Sequence, residues 1–456
     1  RYPAAEGESD LLKGKCHRHG SAVERRQAGR SPAQGRAGQA GSGKGRGAPS
    51  PIPTPPQPVP LPPTTSSIGV ARSPPNALKL AELKICQRWW PLTAASPSAQ
   101  GMGERHHMPM DRHMDMSAAA ERSVSALGFE YHAIMAGRQA EYTRMYLKYH
   151  SDRAARWATA YPDIPRFMGG AVDISKKVRR SSKLKRFCRK GIPIELRPAV
   201  WMQVSGAADA LKGSPGRYAE LTKRHDPKMA EMILLDMHRT FPNNIHFRPD
   251  GCKRQQQLHR VLMAYAAHNP GVGYCQGMNF VCGMLLLVLD GNEEQTFWLF
   301  DRLIARLPPN MYASDMKGIQ AECATFFAIM KEDYPELAEE LGKRGALEVM
   351  PAIVVKWLIN LFVDTVPEET VLRVWDALFY EDWKVLYRVG LAVLLMAYRS
   401  GELMTHDAAT VLEFLSNIGW ALYDCNAVFA VAFDDIDAKG KVKRARINKI
   451  RKANHG

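Results

Sequence analysis

Two short segments place polar groups where helices otherwise need a core. In Ile233 to Pro242 (ILLDMHRTFP), a carboxylate, Asp236, and a guanidinium, Arg239, stand three residues apart. On a helix that spacing puts both on one face, so the aspartate can hold the arginine in one rotamer. An arginine held this way offers a fixed fork of donors to phosphate oxygens. The plain alternative is a surface ion pair whose cation sits in the last helical turn, where the macrodipole favours it. The second segment, Pro270 to Asn279 (PGVGYCQGMN), is a glycine-rich turn that enters a helix and carries Tyr274, Gln276, Gly277 and Asn279. Such turns can cradle phosphate on backbone N–H groups. A P-loop is excluded, because no Lys-Ser or Lys-Thr pair follows the last glycine and no strand pattern precedes the turn. The dinucleotide fingerprint fails as well, since Gln276 stands where its third glycine belongs. What is left is an open turn presenting a glutamine with no bulky neighbour at Gly277. A tight helix–helix connection is the equally plain alternative.

The elements that must position these segments read as helices. Lys253 to His268 puts Leu258, Val261, Leu262 and Tyr265 on one face and stops at Asn269-Pro270-Gly271. Asp226-Pro227 has the form of an N-cap with proline at the first helical position, opening a helix that Pro242 closes. Thr365 to Glu368 has the spacing of a capping box, followed by Val371, Val374, Trp375, Leu378 and Phe379. Val385, Val389, Ala392, Val393 and Met396 repeat the helical period. Sustained strand-type alternation is almost absent. The expectation is an all-α domain of many helices over residues 126–438.

Composition sets the surroundings. The chain of 456 residues carries a formal charge of +16, which invites a nucleic-acid reading. The charge is unevenly placed. Residues 1–100 hold 14 Lys/Arg against 5 Asp/Glu, and residues 439–456 hold 8 basic residues and no acidic one. Between 101 and 438 there remain 40 basic and 41 acidic residues, so nucleic acid is not an expected partner of the body. Residues 1–125 are rich in Gly, Ser, Arg and Pro, with an almost pure polyproline stretch at 49–63, and are expected to be a disordered leader. Residues 439–456 are expected to be a basic, solvated C-terminal tail, with contact to an acidic membrane surface or partner as the alternative. The 8 cysteines contain no CxxC pair, which argues against a zinc site or disulfide framework and for reduced thiols. The longest apolar run, Met278 to Leu289, has the length of a buried helix rather than a membrane span.

Taken together, these segments resemble the signature motifs of the TBC domain, the Rab GTPase-activating module. Gly191 to Trp201 (GIPIELRPAVW) is similar to the family's opening motif, with Arg197 and Trp201 four apart. Ile233, Asp236 and Arg239 match its IxxDxxR motif, and Tyr274 and Gln276 its YxQ motif, which Gly277 and Asn279 continue. Downstream, Phe362, Pro367, Arg373, Trp375, Asp376 and Phe379 resemble the later pattern. The order and spacing of the three motifs are jointly specific although each alone is weak.

The resemblance implies a protein that accelerates GTP hydrolysis by a Rab-family small GTPase, in vesicle traffic. It implies Arg239 as an arginine finger supplied in trans and Gln276 as a second finger replacing the GTPase's own glutamine. Asp236 would orient Arg239, and Tyr274 would shape the turn. Arg197 and Trp201 would pack the N-terminal helices against the site, with the arginine able to support the interface. GTP and Mg²⁺ would arrive bound to the partner, and the protein would hold no cofactor or metal of its own. A cytoplasmic protein recruited peripherally to endomembranes is the implied setting. The rival reading is a scaffold of the same fold that binds a Rab or another partner without accelerating hydrolysis.

Overall fold

The computed structural model describes residues 124–130, 133–248, 252–438 and 440–454. The leader expected over 1–125 lies outside the described residues, apart from Val124 and Ser125. Among the described residues the fold is all-α, and β structure is confined to two isolated bridges, Val124 with Glu130 and Phe129 with Asn244. The chain runs through α1 (Ala133–Ala160), α2 (Ser182–Arg189), α3 (Arg197–Ser205), α4 (Ala207–Gly213), α5 (Arg217–Leu221) and α6 (Pro227–Met237). It continues with α7 (Lys253–His268), α8 (Met278–Val288), α9 (Glu293–Ile304), α10 (Lys317–Asp333), α11 (Pro335–Lys343) and α12 (Ala346–Ile359). The last elements are α13 (Glu368–Glu381), α14 (Lys384–Ser400), α15 (Val411–Asn417), α16 (Cys425–Phe429), a π-helical stretch over Ala430–Asp437, and α17 (Arg444–Asn454).

The segment that carries the site packs around α8. Every residue of that helix but Phe280 is buried, which is why its sequence shows no polar face. It rests on α7 and α9, and α6 lies across α7. A second layer joins α13 to α2, α3 and α14. Its centre is aromatic: Trp201 lies 4.9 Å from Phe379 and 6.0 Å from Trp375, ring centre to ring centre. Both tryptophans are fully buried, and each would cost about 3–5 kcal/mol on truncation to alanine.

Several local expectations meet the structure directly. Helix α7 has the bounds its periodicity predicts. Helix α6 is capped by Asp226, whose Oδ1 accepts the Met229 N–H at 3.1 Å, with Pro227 at the first position. That helix, however, ends at Met237 rather than running to Pro242, so Arg239 stands just beyond its C-cap. The capping box over Thr365–Glu368 does not form. Pro367 is the N-cap of α13, which leaves Thr365 two residues before the cap, and Glu368 accepts instead from Ser125 Oγ at 2.5 Å.

The expectation of a free basic tail over 439–456 is also corrected for its described residues, 440–454. Residues 441–454 dock α17 on α10, with Val442 and Ile447 fully buried. Arg446 pairs with Asp333 at 2.6 Å and Glu332 at 2.9 Å. Arg451 donates to Glu322 and lies 4.4 Å above the Trp383 ring. Lys441 donates to the Asp333 carbonyl at 2.8 Å. The carboxylates that make the body nearly neutral are therefore partly the counter-charges of this helix. No helix among the described residues is long and apolar enough to cross a membrane.

Candidate functional site

Helix α6 turns Ile233, Asp236 and Met237 inward, the i, i+3, i+4 set of one helical face. A carboxylate buried on that face needs partners for both oxygens. Asp236 finds one on each side. One oxygen pairs with the Arg239 guanidinium and the other accepts the Tyr274 hydroxyl, which belongs to the turn before α8. Asp236 is 6% exposed in its side chain and Arg239 is 42% exposed, so a buried anion holds the base of a cation that reaches solvent.

A second link runs beside the first. Thr240 Oγ1 donates to the Asp236 carbonyl at 2.7 Å and accepts from Asn279 Nδ2 at 2.9 Å. The fully buried Asn279 in turn accepts the Gly277 N–H at 3.1 Å, which fixes the turn that presents Gln276. Gly277 has φ 102°, and a Cβ there would lie 2.7 Å from Asn360 Oδ1, so only glycine fits. Gln276 itself is exposed at the mouth of this turn. Asp236, Arg239, Tyr274, Gly277 and Asn279 thus form one connected set, with Gln276 carried on it.

Burial and then the Asp236 carboxylate push the Tyr274 hydroxyl far up, so it remains a donor. Burial and the same aspartate raise the neighbouring Cys275 thiol to about 11, which keeps it from acting as a thiolate nucleophile. The exposed groups on offer are a guanidinium and a carboxamide, both suited to an anion or a polarised water brought by a partner. Four exposed large apolar side chains, Met232, Leu234, Leu235 and Ile245, stand within seven residues of Arg239 in sequence. Exposed apolar side chains on the segment that presents an arginine suit a macromolecular partner better than a small ligand.

Arg197 and Trp201 belong to a different cluster. Both are fully buried and converge on Asp376, which accepts Trp201 Nε1 at 2.9 Å, Arg197 Nε at 3.2 Å and the Ile192 N–H at 2.9 Å. Arg197 also forks onto Glu369 at 2.5 and 3.0 Å, and Tyr146 donates to the same carboxylate at 2.5 Å. Burial would raise Glu369, but the Arg197 charge and hydrogen bonds outweigh it and bring the carboxyl to about 2. Burial wins at Asp376, which rises to about 6 against the pull of Arg197. Burial also draws His150 down to about 4, helped by Arg197 and opposed by Glu369. With no exposed surface, Arg197 braces helices α1, α3 and α13 and does not reach an interface.

The residues that sequence reading missed are Thr240, Asn360 and Glu369. Thr240 carried the only local signal, a hydroxyl directly after Arg239. Asn360, the C-cap of α12, and Glu369 in α13 lie more than 80 residues away in sequence from the groups they serve.

Comparison with known proteins meets this geometry. A model of the Rab-GTPase-TBC domain matches residues 194–404. The chain is 36% identical over 357 residues to growth hormone-regulated TBC protein 1-A of Danio rerio, an alignment covering 76% of this chain and 95% of that one. It is 39% identical over 252 residues to growth hormone-regulated TBC protein 1 of Homo sapiens, covering 55% and 70%. Among solved structures, the Chlamydomonas flagellar RabGAP TBC domain aligns with a TM-score of 0.56 at 29% identity, over 69% of this chain and 99% of that one. An all-helical fold, three motifs in order, and relatives aligned over most of their length agree: this chain belongs to the Rab-GTPase-TBC domain family.

Proposed function

We propose that this protein accelerates GTP hydrolysis by a Rab-family small GTPase, supplying Arg239 and Gln276 in trans. GTP and Mg²⁺ enter with the partner, and the activator's own contribution is two positioned side chains. The observation that carries this reading is the shared carboxylate. Asp236 holds Arg239 with one oxygen and the turn of Gln276, through Tyr274, with the other. A guanidinium neutralises charge building on the transferring phosphoryl group and the bridging oxygen, and such a finger is worth roughly 10³–10⁵ in rate in GTPases. The Gln276 carboxamide can accept from and donate to one water at once, as alignment of the attacking nucleophile requires. The apolar residues Leu234, Leu235 and Ile245 give the partner a surface to close upon, shutting bulk water from the γ-phosphate. Asp236, Tyr274, Gly277 and Asn279 act by positioning. Among the described residues of the tail, the exposed Lys443, Arg444, Lys449 and Lys452 would face an acidic endomembrane surface.

Single-turnover GTP hydrolysis across a Rab panel tests the reading, with Arg239→Ala and Gln276→Ala beside the wild type. Loss of at least about 10²-fold in stimulation by Arg239→Ala, with helical content unchanged, is the expected result. Rab binding without stimulation by the wild type would instead assign a non-catalytic scaffold.

A further inference from the structure

The loop that presents Arg239 has little structure of its own. Among its described residues between Met237, the end of α6, and Lys253, the start of α7, it makes no helix or strand, and Phe241 in it takes φ 52°. Buried backbone in such a loop needs hydrogen-bond partners from elsewhere. Beyond the loop's own turns and Gln255 of α7, they come from residues 124–130, which precede α1 and lie well outside the 194–404 span matched by the domain family. We propose that Val124–Glu130 is a positioning strap that braces the Arg239 loop and, through Phe241, the helix that begins beside Gln276. The proposal rests on the reading of Arg239 and Gln276 as groups supplied to a partner.

The contacts are specific and continuous. Ile245 N–H donates to the Gly128 carbonyl at 2.9 Å, and Glu130 N–H donates to the Asn243 carbonyl at 2.9 Å. The fully buried Asn244 donates its side-chain amide to the Leu127 carbonyl at 2.9 Å. Gly128 has φ 89°, and a Cβ there would lie 2.6 Å from the His246 ring, so strap and loop touch backbone to side chain. Ser125 anchors the far end on Glu368, at the start of α13. The exposed Glu130–Arg248 pair contributes little by comparison.

Rings carry the brace to the second segment. Phe129 meets Phe241 edge-on at 5.0 Å, and Phe241 meets Phe280 at 5.7 Å and Phe247 at 5.4 Å. Phe241 is two residues from Arg239, and Phe280 is four from Gln276. One side of the Phe241 ring is thus covered by the strap and another by α8. Without the strap, three backbone or amide hydrogen bonds and one ring face of the loop are lost together. A displacement of about 1 Å at a catalytic group can cost on the order of 10²-fold in rate.

The test is Phe129→Ala in the full chain, assayed by single-turnover hydrolysis on a Rab that the wild type stimulates, with protein concentration varied. The expected result is a roughly tenfold or larger fall in kcat with KM within about twofold, well below the melting temperature, and recovery in Phe129→Tyr. Ser125→Ala, which keeps every ring in place, should fall less in the same direction. Hydrogen exchange of the 240–247 amides should speed up in both variants. A rise in KM alone, unchanged kcat, or unchanged exchange at 240–247 would overturn the proposal. If the wild type stimulates no Rab, the functional reading fails by itself, and the exchange measurement still decides whether the strap braces the loop.

Discussion

Replacing Asp236 by asparagine removes one charge and changes almost no volume, so its effect isolates what the carboxylate does for Arg239. An exposed ion pair contributes about 0–1 kcal/mol, and breaking a fully buried one costs about 3–5 kcal/mol. This pair lies between those limits, since the aspartate is 6% and the arginine 42% exposed. The charge-assisted hydrogen bond is therefore worth about 1.5–3 kcal/mol. Asparagine can still accept the Tyr274 hydroxyl with its oxygen, but then its NH₂ faces the guanidinium, donor against donor. Arginine loses its held rotamer while the turn of Gln276 stays tied. If that energy is spent on positioning Arg239 for the transition state, kcat of stimulated hydrolysis falls roughly 10- to 150-fold. KM for the GTPase should stay within about twofold, because the docking surface is intact. The assay is single-turnover hydrolysis on a responsive Rab at several activator concentrations, with Arg239→Ala as the floor. Retention of kcat within about twofold would refute the clasp, and a rise in KM at constant kcat would move Asp236 from positioning to docking.

Two further outcomes follow from the packing. Ile447→Ala, in the fully buried face of α17, should lower unfolding stability by about 2–5 kcal/mol in denaturant titration; no measurable change would mean that the C-terminal helix does not dock as described. His150, drawn down to about 4 by burial with Arg197 adding to it, has a folded value below its ordinary 6.5, so the unfolded chain takes up its proton first. Its contribution to stability is present above pH 6.5 and is lost as pH falls toward 4, at up to about 1.4 kcal/mol per pH unit. His150→Phe should flatten that limb of the stability profile, and parallel curves for variant and wild type would refute the assignment.

Much of the fold could be read along the chain. Helix α7 was legible because Leu258, Val261, Leu262 and Tyr265 repeat at the helical period and Asn269-Pro270-Gly271 ends it, and α6 because Asp226-Pro227 is a start signal in itself. Those signals are local, set by backbone geometry within one turn. The motif residues and their order, Arg197–Trp201, Asp236–Arg239 and Tyr274–Gln276, were legible too, and they identified the family. Spacing alone left Asp236–Arg239 as an ordinary ion pair. Its second partner, Tyr274, is 38 residues away, and only packing α6 against α7 and α8 brings the hydroxyl to the free oxygen. The same holds for Thr365–Glu368, which reads as a capping box until Ser125 takes the carboxylate. It holds again for the basic C-terminal stretch, whose charges looked free because Glu322, Glu332 and Asp333 lie more than 100 residues upstream. Residue type and local period thus decided which helices form and which groups are available. Which charges meet, which are buried and which reach solvent was decided by tertiary structure, because a carboxylate's partner is chosen by distance in space.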